Sequence, residues 1–223
     1  MAGPVDPGPR RSVAIPPLGL DGALDLPEGA AAGIVLFAHG SGSSRFSPRN
    51  AAVAEMLRRA GFATLLFDLL TETEAADRAN VFDIALLAER LVLATEWVAG
   101  AAPTQGLAVG YFGASTGAAA ALVAAARLGP QIAAVVSRGG RPDLAGGALP
   151  HVAAPTLLIV GGADHEVLAL NRAALARLRC PAKLAVVPGA THLFEEPGAL
   201  EDVARLAGAW FRRHLAHGAE PGR

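Results

Sequence analysis

Short apolar runs recur along the chain, each ending on glycine or small polar residues: GIVLFAHG (33–40), FATLLFDLL (62–70), LAVGYFG (107–113), IAAVVSRGG (132–140), PTLLIVGG (155–162) and AKLAVVPG (182–189). Unbroken runs of this length predict strands buried on both faces. Between them the spacing turns helical. SPRNAAVAEMLRRAG (47–61) has Ser47 to cap, Pro48 for the first turn and Gly61 to stop, with Val53, Met56 and Leu57 on one face. Ile84, Leu87 and Leu91 predict a long helix over 81–100, and further helices are predicted over 115–129, 166–179 and 198–218.

The segment 12–29 reads as two short strands around LDG, with Pro16 and Pro17 limiting the first to a sheet edge. TETEAADRAN (71–80) is a polar excursion. Strand and helix then alternate. The pattern predicts an α/β fold: a mostly parallel central sheet with helices on both faces and an antiparallel N-terminal hairpin. One domain is expected over 12–217, with flexible segments at 1–11 and 218–223.

Length and composition agree with one globular domain. The 223 residues are 52% hydrophobic and 17% charged. A formal net charge of −1 gives no reason to expect nucleic acid. Cys180 is the only cysteine, which excludes an internal disulfide and fits a reducing, cytoplasmic setting. MAGPVDPGPRR lacks the apolar core of a signal peptide, and no apolar stretch is long enough for a membrane span. H-E-x-x-H, Cys/His ligand spacing and G-x-G-x-x-G are all absent, so neither metal nor cofactor is expected.

In open parallel sheets, ligands bind beyond the carboxyl ends of the strands. Four predicted strand ends carry candidate chemistry: His39-Gly40-Ser41, Gly113-Ala114-Ser115-Thr116-Gly117, Asp164, and Thr191-His192. A serine hydroxyl is a poor nucleophile unless an imidazole takes its proton and a carboxylate orients that imidazole. G-x-S-x-G between strand and helix forms a sharp elbow that exposes the serine. This makes Ser115 the candidate nucleophile, His192 the base and Asp164 the acid. The backbone N–H groups of Thr116 and Ser41 are the candidate oxyanion donors.

LFAHGSG, GASTG, LLIVGGADHEV and VPGATHLF, in that order, resemble the α/β-hydrolases, and among them the small lidless dienelactone-hydrolase-like enzymes. The resemblance covers roughly residues 12–217. It implies that G-x-x-D (Gly161 to Asp164) carries the triad acid and G-x-x-H (Gly189 to His192) the base. Dienelactone hydrolase proper uses a cysteine nucleophile, whereas this elbow has Ser115. The resemblance therefore points to a general ester or thioester hydrolase.

Rival residues exist. His165 competes with His192, while His39, His151, His214 and His217 lack the right strand-end position. Asp68 and Asp143 compete with Asp164. Arg45, Arg49, Arg138 and Arg141 fall near the predicted site and form a possible carboxylate-recognising rim. The expected activity is hydrolysis of small soluble esters through an acyl-enzyme, by a monomer or homodimer with no membrane or nucleic-acid partner. A thioesterase or acyltransferase with the same triad, or a non-catalytic partner module, are the alternatives.

Overall fold

The computed structural model describes residues 11–215. The expected flexible segments and His217 lie outside them, except that Arg11 opens the first strand. Eight strands form one sheet: β1 (Arg11–Ile15), β2 (Leu20–Asp25), β3 (Ile34–Ala38), β4 (Ala63–Phe67), β5 (Val109–Ala114), β6 (Ile132–Arg138), β7 (Thr156–Gly161) and β8 (Ala182–Val187). Their order across the sheet is β1-β2-β4-β3-β5-β6-β7-β8. β1 and β2 pair antiparallel, β2 meets β4 antiparallel, and every other pairing is parallel.

Seven α-helices join the strands: α1 (Pro48–Arg59), α2 (Glu72–Ala75), α3 (Arg78–Phe82), α4 (Ile84–Gly100), α5 (Thr116–Leu128), α6 (His165–Leu175) and α7 (Ala199–Leu215). The apolar runs of β3 to β7 are buried on both faces, so successive residues of one strand feed different cores. β8, expected to be buried likewise, is an edge strand with Lys183 and Val186 exposed, because nothing pairs beyond it among the described residues. Ile34, Leu36 and Ala38 pack with Tyr111 and Val135 under α4 and α5. Val35 and Phe37 pack with Phe112 and Val136 under α1 and α7. On the second face α7 lies so close that a Cβ on Gly110 would sit 2.8 Å from the Phe211 ring. α1 and α7 pack against each other there, with Leu57 and Ala207 in the same core.

Three local expectations differ from the structure. The first hairpin turns at Pro16–Gly19, and LDG opens β2 instead of forming the turn. Proline has no N–H for the ladder, so both prolines fall outside it, and the Gly19 N–H closes the turn onto the Ile15 carbonyl at 2.8 Å. The polar excursion after β4 is two short helices. Thr71 and Glu74 form a capping box on α2, and Asp77 caps α3. The predicted helix over 81–100 begins at Ile84 because Asp83 caps it, its side chain accepting from the Leu86 N–H. Among the described residues no helix is long and apolar enough to cross a membrane.

Candidate active site

The carboxyl ends of five adjacent parallel strands, β3, β5, β6, β7 and β8, bring the sequence-predicted residues to one edge of the sheet. Ser115 stands between β5 and α5 with φ 51° and ψ −123°. Only one other described non-glycine residue, Phe194, has positive φ. Such a backbone costs about 1–3 kcal/mol and persists only where its surroundings enforce it. The two glycines of the elbow show what enforces it. A Cβ on Gly113 would sit 2.8 Å from the Ala118 nitrogen, and one on Gly117 would overlap the Ala38 and His39 carbonyls. Gly40 presses on the other side, where a Cβ would sit 2.9 Å from the Ser115 Cβ. The loop after β6 completes the clamp: the Arg141 N–H donates to the Ser115 carbonyl at 3.0 Å.

Asp164 occupies the N-cap position of α6, yet its side chain makes no capping bond. Its Oδ2 instead accepts from His192 Nδ1 at 2.7 Å. Backbone contacts hold the two loops together, with the Ala163 N–H donating to the Ala190 carbonyl at 2.9 Å. With Nδ1 carrying the hydrogen, Nε2 of His192 is the acceptor nitrogen. Ser115 and His192 line one cavity of about 240 Å³. No hydrogen bond joins Ser115 Oγ to His192 among the described residues, a looseness common before substrate binds.

The rivals are placed elsewhere. Asp68 accepts from the Arg45 N–H at 2.7 Å and from its guanidinium, and Asp143 forms a two-pronged pair with Arg141 at 2.9 and 2.8 Å. His165 is exposed on the first turn of α6, and His151 is exposed at the end of a 3-10 segment, Pro142–His151. His214 packs on the Trp210 ring. Cys180 is half-buried beside Thr156, and burial pushes its thiol pKa up. His39 lies under the loop after β3. Its Nδ1–H donates to the Gly40 carbonyl at 3.0 Å, and its Nε2 accepts from the Leu69 N–H at 3.2 Å. Burial pulls its pKa below the usual value of 6.5.

The two candidate oxyanion donors differ. The Thr116 N–H is the first of α5, where a helix offers it no internal partner. The Ser41 N–H donates to Thr116 Oγ1 at 2.8 Å.

The four arginines also separate. Arg45 pairs with Asp68 and Asp21, and Arg141 with Asp143; neither lines the Ser115 cavity. Arg49 lines it and pairs with Glu195 at 3.1 Å. Arg138 lines it too, 7% exposed. Sequence reasoning missed Ser47 and Asn50, which line the same cavity from the first turn of α1. The Ser-Pro helix start was a visible signal for their position. A second cavity, of about 280 Å³, lies on the far side of the Gly40–Ser43 loop against Leu70, Val81 and Leu87.

The family model for the dienelactone hydrolase family matches residues 20–214. The chain belongs to the dienelactone hydrolase family. Within it, the solved dienelactone hydrolase of Anabaena variabilis is 59% identical, with a TM-score of 0.88 over 93% of this chain and 97% of that one. A lidless α/β serine hydrolase of Xanthomonas campestris is 26% identical, with a TM-score of 0.76 over 98% of this chain and 100% of that one. A Mycobacterium tuberculosis protein named putative phosphoribosyl transferase is 63% identical over 199 residues. Those residues are 89% of this chain but 45% of that protein, so the chain spans about half the length of its curated relatives. Family membership and these neighbours identify the fold as that of the α/β-hydrolases.

Proposed function

We propose that the chain is a serine hydrolase that cleaves small carboxylic esters. The observation that carries this is the 2.7 Å bond from His192 to Asp164, beside a strained Ser115 in the same cavity. His192 Nε2 takes the Ser115 proton as Oγ attacks the ester carbonyl. The Thr116 N–H stabilises the oxyanion, and the Ser41 N–H shares its hydrogen between that oxyanion and Thr116 Oγ1. As the tetrahedral intermediate collapses, His192 returns the proton to the departing alcohol and leaves an acyl-Ser115. Water then repeats the sequence: His192 takes its proton, hydroxide adds to the acyl carbon, and Ser115 leaves with the proton restored. Every atom in the cycle comes from the ester, water and these side chains.

Ser115 in place of cysteine favours a general ester or thioester hydrolase over dienelactone hydrolase proper. The same residues would serve a thioesterase or an acyltransferase. We assign the activity named for the curated relatives to the part of those proteins outside the match, because the Ser115 cavity is organised for acyl transfer.

A fluorophosphonate probe tests the reading. The wild-type protein is expected to label and to hydrolyse p-nitrophenyl acetate, and Ser115→Ala to do neither. A folded wild type that neither labels nor turns over short esters would favour the non-catalytic module.

A further inference from the structure

Arg138 ends β6 with its side chain on the α1 and α7 face, 7% exposed. Its one hydrogen bond among the described residues runs to Asn50 Oδ1 at 3.4 Å, and its buried Nε has no partner. Its guanidinium lies 5.9 Å over the ring of Phe194. No carboxylate pairs with it among the described residues. A buried cation without a counter-ion is costly, and folds remove such groups unless something offsets the cost. The surrounding wall raises that cost. Arg49 contributes a second guanidinium, Asn50 and Ser47 are neutral, and none of the residues lining the cavity is acidic. Burial, with Arg49 adding repulsion, lowers the Arg138 pKa to about 10, so it stays charged at neutral pH.

We propose that Arg138, supported by Arg49 and Asn50, binds an anionic oxyacid group of the substrate, a carboxylate or a phosphate, in the cavity that Ser115 faces. The guanidinium has unpaired donors to offer, and a planar fork suits either oxyacid. Arg138 and Ser115 are tied through the backbone. β5 and β6 pair Ala114 with Arg138, and the Ser115 N–H points to the Arg138 carbonyl at 3.4 Å. The ester and the anionic group therefore belong to one small molecule.

The substrate part of this inference rests on the proposed ester hydrolysis, and the binding part does not. Three methyl esters share one reacting group: neutral dimethyl succinate, monomethyl succinate and methyl 3-phosphonopropionate. Wild-type kcat/KM is expected to favour one anionic ester over the neutral one, and the favoured one identifies the oxyacid. In Arg138→Gln that ratio is expected to fall by about 30-fold or more, and in Arg138→Lys by less.

The second measurement is calorimetric binding of succinate and of inorganic phosphate to the Ser115→Ala protein. Saturable binding that added salt weakens, and that Arg138→Gln abolishes, supports the site. Failure of both anions to bind overturns it, as does equal binding with Arg138 replaced. A wild type without preference for either anionic ester also overturns it. A protein that binds anions through Arg138 yet hydrolyses no ester keeps the anion site and defeats the esterase reading. Arg138→Met guards against a purely structural role. Removing an uncompensated buried charge is expected to hold or raise Tm, and a lower Tm with unchanged anion binding overturns the proposal.

Discussion

His192 Nδ1 donates to Asp164 Oδ2 at 2.7 Å, and the rival acids Asp68 and Asp143 are both held by arginines. Contact and elimination both support the proposed role of Asp164 as the orienting acid. Asp164→Asn keeps the shape but turns an N–H₂ toward Nδ1, which favours the tautomer with hydrogen on Nε2. Such an imidazole cannot accept the serine proton. The expected loss in kcat is about 10⁴-fold, measured on p-nitrophenyl acetate, with Tm close to wild type. A loss below about tenfold would remove Asp164 from the triad.

Gly117 is the tighter of the two elbow glycines. A Cβ there would lie 2.6 Å from the Ala38 carbonyl carbon, which is backbone of β3 and cannot swing aside. Gly117→Ala is expected to lower stability by about 3 kcal/mol, read as a denaturant midpoint. Gly147→Ala, where a Cβ meets nothing within 4 Å, is expected to change it by less than about 0.5 kcal/mol.

Thr116 offers two groups to the site, its N–H and its hydroxyl. The hydroxyl holds the Ser41 N–H at 2.8 Å and so fixes the loop after β3. Thr116→Val removes the acceptor and is expected to lower kcat/KM about 10-fold, less than deleting an oxyanion donor outright. Thr116→Ser is expected to restore most of it. Equal activity of the two variants would show that the loop holds its shape without this bond.

His39 couples the same loop to pH. Its Nε2 accepts from the Leu69 N–H, so protonation would set a hydrogen against a hydrogen. Burial lowers its folded pKa below 6.5, opposed first by the hydrogen bond to the Gly40 carbonyl and then by Asp68. The unfolded chain then binds a proton that the folded chain refuses, so stability falls as pH drops from 6.5 toward the folded value. His39→Gln is expected to flatten Tm against pH over that window, relative to wild type.

Much of this was legible in the residues. The apolar runs located all six parallel strands; in β3 to β7 burial on both faces leaves no alternation to confuse them, whereas β8 is an exposed edge strand whose run reads the same. The candidate nucleophile, acid and base were visible from their places at strand ends, and the structure brings Ser115 and His192 to one cavity and joins His192 to Asp164. Other features depend on three-dimensional neighbours. Nothing in the order of residues distinguishes Arg138 from Arg45 or Arg141, since each is one arginine in a loop-side position. Only the packing shows that two of them find carboxylates and one does not. Asp164 stands at the N-cap position of α6, and only the folded structure shows its side chain turned to His192 instead of capping. The short helices α2 and α3 escaped notice because polar capping residues outweigh apolar spacing in so brief a segment.

α7 meets α1 across the face they share, with Phe211 filling the space above Gly110. The two helices lie near opposite ends of the described chain. A ribosome making this protein delivers Ser115, Asp164 and His192 before it delivers α7. Until α7 emerges, Val35, Phe37 and Phe112 have only half their cover, and the nascent sheet exposes an oily flank to other chains. α7, which contributes no proposed catalytic group, thereby sets when this flank of the sheet stops being sticky.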